Sequence, residues 1–397
     1  MKTTRFTSLL ALLALSLPAS ARTPPVIAFE VPAENGLQAQ VWAEGLNHPW
    51  SIAWLPDGRA LVTERPGRLR IISTDGQLSP PVAGVPAVAA VGQGGLLDVA
   101  LHPEFARNQL IYLTYLSGNE SANRIALARG RLVDGKLADV VELLHNPVAK
   151  PQGQNLGSRL LWLPDGSLLM SVGDGGNNVY LDGGLIRNKS QQPNSWFGKI
   201  LRLTAEGKPA PGNPGLGAQR GKWDPHVWTL GNRNAQGLAR DSKTGIVWAT
   251  EHGARGGDEL NRIAGGHNYG WPEVTYSREY SGLPITSVRA RAGVTDPVSV
   301  WIPSIAPSGL AIYRARAIPS LSGAILAGGL RSEDVRIIRL DARGQPQSEH
   351  RLRLGARVRD VRVGPDGLVY VLTDEGKGQI IRLRAKASDG TSDRTSD

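Results

Sequence analysis

The chain is predicted to be all-β: a six-bladed β-propeller with loop insertions that form a site at one end of the ring. Three observations lead there. Glycine and proline are abundant, 48 and 27 of 397 residues, and they separate short apolar runs with turn signals. Beyond the first 21 residues scarcely any stretch carries the apolar period of a helix. One pattern also recurs along the chain: strand, Pro-Asp-Gly turn, strand, second turn and often a third strand.

The recurrence is clearest in SIAWLPDGRALVTERPGRLRII from Ser51, SRLLWLPDGSLLMSVGDGG from Ser158 and RDVRVGPDGLVYVLTDEGKGQIIRL from Arg359. In each turn proline presets φ and glycine takes the positive φ that side chains disfavour. Looser copies begin near Leu96, Asn234 and Ser308. Six copies result, at unequal spacings of roughly 45 to 75 residues, as blades with loop insertions permit. A pair of packed sheets is the competing all-β architecture, and it does not require a sixfold recurrence.

In chain order, the first 21 residues read as an export signal. Lys2 and Arg5 precede the apolar run SLLALLALSLP, and Ala19-Ser20-Ala21 offers a cleavage site. That run is short for a bilayer span, so a periplasmic or secreted protein without stable membrane insertion is expected. A single propeller domain is expected over 22–384, followed by a polar, disordered tail over 385–397. The chain has no cysteine, so packing or bound metal must hold the fold in an oxidising compartment. Its formal charge of +10 is dispersed, and export argues against nucleic acid as a partner. No heptad seam is present, which leaves a monomer as the default. Extra length concentrates between Asp174 and Trp228 and between Tyr269 and Trp301, where insertions can shape a site.

No GxSxG elbow, HExxH helix or GK[ST] phosphate loop occurs, and the seven histidines form no pair with metal-ligand spacing. Four stretches stand out instead. LGNRNAQGLA carries Arg233, Asn234 and Gln236; it reads equally as a polar turn entering a strand. TEHGARGGDELNRIAGGHNYGWPEV sets Glu251, Asp258 and Glu259 in a glycine-rich loop whose carbonyls and carboxylates suit Ca²⁺, or are simply capped and solvated. GGLRSEDV carries Arg331. In ARVRDVRVGPDG, Arg357 and Arg359 share one strand face, which is either an exposed basic face or one wall of an anion pocket. If Arg233, Arg331, Arg357 and Arg359 converge, they form a site for a small polyanion.

Taken in order, GQGGLLDVALHPEF, LGNRNAQG, EHGARGGDELN, NYGWP and RVRDVRVGPDG resemble the soluble, pyrroloquinoline-quinone (PQQ)-dependent aldose sugar dehydrogenases, the glucose/sorbosone dehydrogenase-like family. The resemblance runs from about Gly45 to Leu383. It too implies a six-bladed propeller, with the quinone at one end, bound through its carboxylates and a Ca²⁺. Matching positions assign cofactor contacts to Gln93, Arg233, Asn234, Tyr280, Gly329, Leu330, Arg331, Arg357, Val358 and Arg359. Arg331 stands where the family generally has lysine, which keeps the charge and changes the geometry. The carbonyls of Gly253 and Ala254 fall where a Gly-Pro pair ligates the quinone's Ca²⁺. Glu259 and the Tyr269 backbone belong, by the same resemblance, to a second, structural Ca²⁺ site. The implied reaction oxidises an aldose at its anomeric carbon to a lactone, with hydride passing to the quinone and Arg233 polarising the quinone carbonyl. The electron acceptor is left open between the quinone pool and a cytochrome.

The family's base is a histidine in a segment resembling NHFGGRL. QNLGSRL aligns to it without a gap and puts Asn155 at the catalytic position. An amide accepts a hydrogen bond but no proton at neutral pH, and loss of a general base costs about 10²–10⁴-fold in rate. His145 lies upstream of the aligned segment, and His252 is expected to be structural. Three readings stay open: a dehydrogenase with a compensating base or a more acidic substrate hydroxyl, a quinone- or sugar-binding propeller with impaired catalysis, and a propeller with a hydrolase or adhesion role.

Overall fold

The computed structural model describes residues 23–386. The export signal expected over 1–21, and the tail from 387 onward, lie outside the described residues. The regular structure runs slightly past the expected domain end: Ala385 still pairs with Leu37, and the Lys386 amide donates to Gly36 O at 2.9 Å.

Six sheets, antiparallel but for one edge strand, surround one axis as a six-bladed β-propeller. Their inner strands are Pro49–Trp54, Leu96–Leu101, Gly157–Trp162, Ala235–Arg240, Pro307–Ile312 and Val358–Val363, at the six places where the sequence recurrence begins. These define blades one to six. The only α-helix among the described residues is Phe105–Asn108. The three Pro-Asp-Gly turns are built alike. Gly58, Gly166 and Gly367 have φ of 86°, 79° and 80°. The preceding Asp57, Asp165 and Asp366 carboxylates each accept the amide two residues on, at 3.0 Å.

The second strands Ala60–Glu64, Leu168–Val172, Val247–Glu251, Ile325–Gly329 and Val369–Thr373 are buried at every residue. Neighbouring blades cover both faces of each, so these strands do not alternate buried and exposed residues, and even Thr63, Glu64, Ser171 and Glu251 are buried. Side-chain hydroxyls join blade to blade. Thr114 Oγ1 donates to Ser158 O at 2.8 Å, Ser171 Oγ to Ala235 O at 2.8 Å and Thr250 Oγ1 to Ser308 O at 2.7 Å.

The ring closes by joining its two ends: Leu37–Leu46 is the outer strand of blade six, antiparallel to Gly378–Ala385. Before it, Val26–Ile27 adds a parallel fifth strand to blade four at Ser299–Trp301. The N-terminal arm thus straps blades four to six together.

Candidate functional site

Strand register decides where the singled-out residues gather. Pro49 pairs with Glu64, Gly157 with Val172, Ala235 with Glu251, Pro307 with Gly329 and Val358 with Thr373. The start of each inner strand therefore lies beside the end of its second strand, and all these positions share one end of the ring. In all six blades the ladder slips within the next few residues, and such bulges re-aim side chains. Gln93, Asn155, Arg233, Asn234 and Arg357 sit just before inner strands. Gly253, Ala254, Leu330 and Arg331 sit just after second strands. The structure therefore brings these residues to the same end.

Beneath them the axis is filled. Arg159 is 1% exposed. It donates to Asp98 at 3.1 Å, to Asp360 at 3.2 Å and to Gln236 O at 2.8 Å, and its guanidinium lies 4.3 Å from the Trp50 ring centroid. Gly309 makes room for this cluster, because a Cβ there would stand 2.0 Å from an Asp360 carboxylate oxygen. The centre is a charged plug, and the site lies above it.

Asn155 is buried, with φ 44°. Its amide N–H donates to Gln93 Oε1 at 3.0 Å and its Nδ2 to Asp174 Oδ1 at 2.9 Å. Asp174 also accepts Gly176 N at 3.0 Å and, on its other oxygen, Trp271 Nε1 at 2.8 Å. Burial raises the Asp174 pKa, while Arg233 and these donors pull against that shift. Among the described residues nothing donates to Asn155 Oδ1. Asn234 holds the same loop from below, its Oδ1 accepting Gly157 N at 2.9 Å.

Arg233 is 3% exposed. Its Nη1 donates to His252 O at 3.0 Å and Gly253 O at 2.6 Å, and its Nη2 to Asn177 Oδ1 at 2.9 Å. Among the described residues its Nε–H is buried without a partner. The His252 imidazole is kept neutral: burial and the neighbouring Arg233 and Arg359 lower its pKa to about 3.

A cavity of about 710 Å³ adjoins this group. Its wall includes His252, Gly253, Ala254, Arg255, Arg278, Tyr280, Ile302 and Arg331. Tyr280 is 60% exposed at its mouth. Arg331 donates to Ser304 O at 2.9 Å and lies 5.4 Å from the Phe29 ring centroid. Arg357, just before the strand Val358–Val363, and Arg359, within it, both reach Asp374 but differ in environment. Arg357 is exposed, reaching Leu330 O at 3.4 Å and Asp374 Oδ2 at 3.9 Å. Arg359 is buried, ion-paired with Asp374 and bonded to Gln236 Oε1 at 2.7 Å. Val358 between them and Gly329 are buried in the blades. Burial opposes the charge on Asp374, but Arg359, Arg65 and His48 hold its pKa well below the ordinary value.

The candidate metal positions divide into two groups. Gly253 and Ala254 offer carbonyls on the cavity wall, that of Gly253 engaged by Arg233. Glu259 faces Glu251 across paired strands. Burial, and for Glu259 also the facing carboxylate, raises both pKa values. Tyr269 is buried, with its amide on Leu230 O at 2.8 Å and its hydroxyl on Arg262 O at 2.7 Å. Among the described residues no three Asp, Glu, His or Cys side chains cluster as a metal set.

Sequence reasoning passed over Asp174, Trp271, Asp374 and the plug residues Asp98, Arg159 and Asp360. The last three had a signal. In the bulged inner strands LLDV, GSRL and VRDV they occupy the same third place, which an alignment of the repeats puts on the axis. Asp174 and Asp374 close two second strands but lie in loops, without a periodic mark.

Comparison with known proteins agrees with this fold. The sequence profile of the Glucose / Sorbosone dehydrogenase family matches residues 46–382. The aldose sugar dehydrogenase YliI of Escherichia coli K12 is 36% identical, over 87% of this chain and 92% of its own. The crystal structure of the soluble aldose sugar dehydrogenase from Escherichia coli in its apo-form superposes with a TM-score of 0.82 at 35% identity, covering 88% of this chain and all of that one. The PQQ-bound form of an aldose sugar dehydrogenase from Streptomyces coelicolor gives 0.70 at 30% identity, over 90% of this chain and all of its own.

Proposed function

The chain belongs to the Glucose / Sorbosone dehydrogenase family, and we propose that it oxidises an aldose at the anomeric carbon to the lactone, using PQQ with Ca²⁺ as its counter-ion. One observation carries the reading. Arg233, buried with an unpartnered Nε–H, stands beside a cavity of about 710 Å³ walled by arginines.

The residues fit such a group. A small planar polycarboxylate needs cationic walls, and Arg255, Arg278 and Arg331 line the cavity. Among the described residues the Nε–H groups of Arg233 and Arg359 are buried donors without acceptors, a cost that an incoming oxygen would relieve. Two neutral carbonyls beside a guanidinium are too few to hold Ca²⁺ alone. Carboxylates supplied by a cofactor would complete an oxygen set with Gly253 and Ala254. The quinone, when bound, supplies the acceptor for the sugar's hydride.

The chain's own contributions are positional. Arg233 would offer fixed positive charge to an acceptor bound beside it. Asn155, its side-chain amide anchored on Asp174, would offer Oδ1 to a sugar hydroxyl and orient it without taking its proton, which would pass to water as the hydride leaves. Turnover is therefore expected to be about 10²–10⁴-fold below that of a site with an imidazole there. The same amide favours a second reading, a quinone binder with little turnover. Export rests on the first 21 residues and predicts a mature N-terminus at Arg22 by N-terminal sequencing of exported protein.

A dye-linked assay with PQQ, Ca²⁺ and an aldose panel tests the function. Dye reduction with stoichiometric lactone supports the dehydrogenase. Saturable quinone binding with no dye reduction by any aldose supports the binder instead.

A further inference from the structure

Trp271 connects two groups that the mechanism uses separately. Its ring lies 5.2 Å from the Arg233 guanidinium, and its Nε1–H donates to Asp174 at 2.8 Å. Asp174 in turn accepts from Asn155 at 2.9 Å. The residue is 4% exposed and fixed at both backbone polar groups: its N–H donates to Gly231 O at 2.9 Å, and its carbonyl accepts Gln191 Nε2 at 2.8 Å. Gln191 and Asn268 exchange amide bonds at 3.0 and 2.7 Å, and Arg187 meets Glu279 at 2.6 Å. The two long insertions are thus fastened to each other around this side chain.

We propose that Trp271 is a positioning residue that couples the cofactor side of the site to the sugar side, the ring face setting Arg233 and the indole N–H setting Asp174 and Asn155. The inference rests on the reading above for the roles of Arg233 and Asn155. The coupling itself is a property of the protein alone.

Two substitutions separate the halves. Trp271→Phe keeps a ring and removes the N–H; Trp271→Leu removes both. A hydrogen bond to a carboxylate is worth roughly ten- to a hundredfold in an equilibrium, and a cation–π contact up to roughly tenfold. With the quinone-loaded protein, Trp271→Phe should lower kcat for an aldose about tenfold or more while quinone affinity stays within about twofold. Trp271→Leu should also weaken quinone binding, by up to roughly tenfold. In the cofactor-free protein, ¹⁵N spectra should show the Asn155 side-chain amide shifting in both variants and Arg233 Nε–H shifting only in Trp271→Leu. Melting curves check that both variants fold. If neither resonance responds in either variant, the coupling is wrong whatever the protein binds. If the resonances respond as stated but wild type takes up no quinone, the coupling stands and the functional reading fails. Unchanged kcat in Trp271→Phe, with wild type active, overturns the proposal.

Discussion

At the scale of single residues, the account turns on Asn155. Its backbone is left-handed and its amide is already anchored on Asp174, so an imidazole placed there finds a carboxylate partner waiting. Asn155→His is expected to raise the aldose oxidation rate about 10²–10⁴-fold. It should also introduce a pH limb: the base works unprotonated, so kcat/KM of the variant should rise through pH about 6.5, a limb the wild type lacks. A pH–rate profile of both proteins checks this. The arginine pair divides in the same concrete way. Arg357→Ala removes an exposed charge and should weaken quinone binding without moving Tm. Arg359→Ala should weaken binding and also cost roughly 1–3 kcal/mol of stability, because it strips the buried Asp374 of its closest partner. The RVRDV motif made both arginines visible in the sequence. The difference between them was not, because Asp374 arrives from the end of another strand.

At the scale of elements, the blades were legible wherever turn chemistry repeats. The Pro-Asp-Gly turns fixed three inner strands, and looser copies the other three. What the sequence hid is how blades grip one another. Thr114, Ser171 and Thr250 read as ordinary strand residues until the neighbouring carbonyl is known. Asp241 and Arg314, at the far ends of the inner strands of blades four and five, form a bidentate bridge at 2.6 and 2.8 Å. Arg314 is the main cause that lowers the Asp241 pKa from 3.8 to about 2. The folded value lies below the unfolded one, so the bridge contributes fully above pH about 4 and loses its contribution as pH falls toward about 2. Asp241→Asn should therefore melt below wild type at neutral pH, the two converging near pH 2. Parallel melting differences at both pH values would show that the charge is not what joins these blades.

At the scale of the whole molecule, six repeats foretold a ring and not how it shuts. The sequence recurrence starts at Ser51, and nothing in Leu37–Leu46 announces that it belongs beside Gly378–Ala385. Such pairing is between chain ends and leaves no local pattern. A chain starting at residue 47 exposes the Gly378–Ala385 edge and should lose the sharp calorimetric transition that a chain starting at residue 36 keeps. Closure also makes the site, since Asn155 and Arg233, from blades three and four, share one end with Arg331 and Arg357, from blades five and six, only in a completed ring. The most direct test of that assembled site is the absorption spectrum of the purified protein loaded with PQQ and Ca²⁺, recorded without oxygen before and after glucose or another aldose. A bound-quinone spectrum should convert slowly to the reduced form, and faster in Asn155→His. A protein that takes up no quinone, or whose bound quinone no aldose reduces even in Asn155→His, would contradict this expectation.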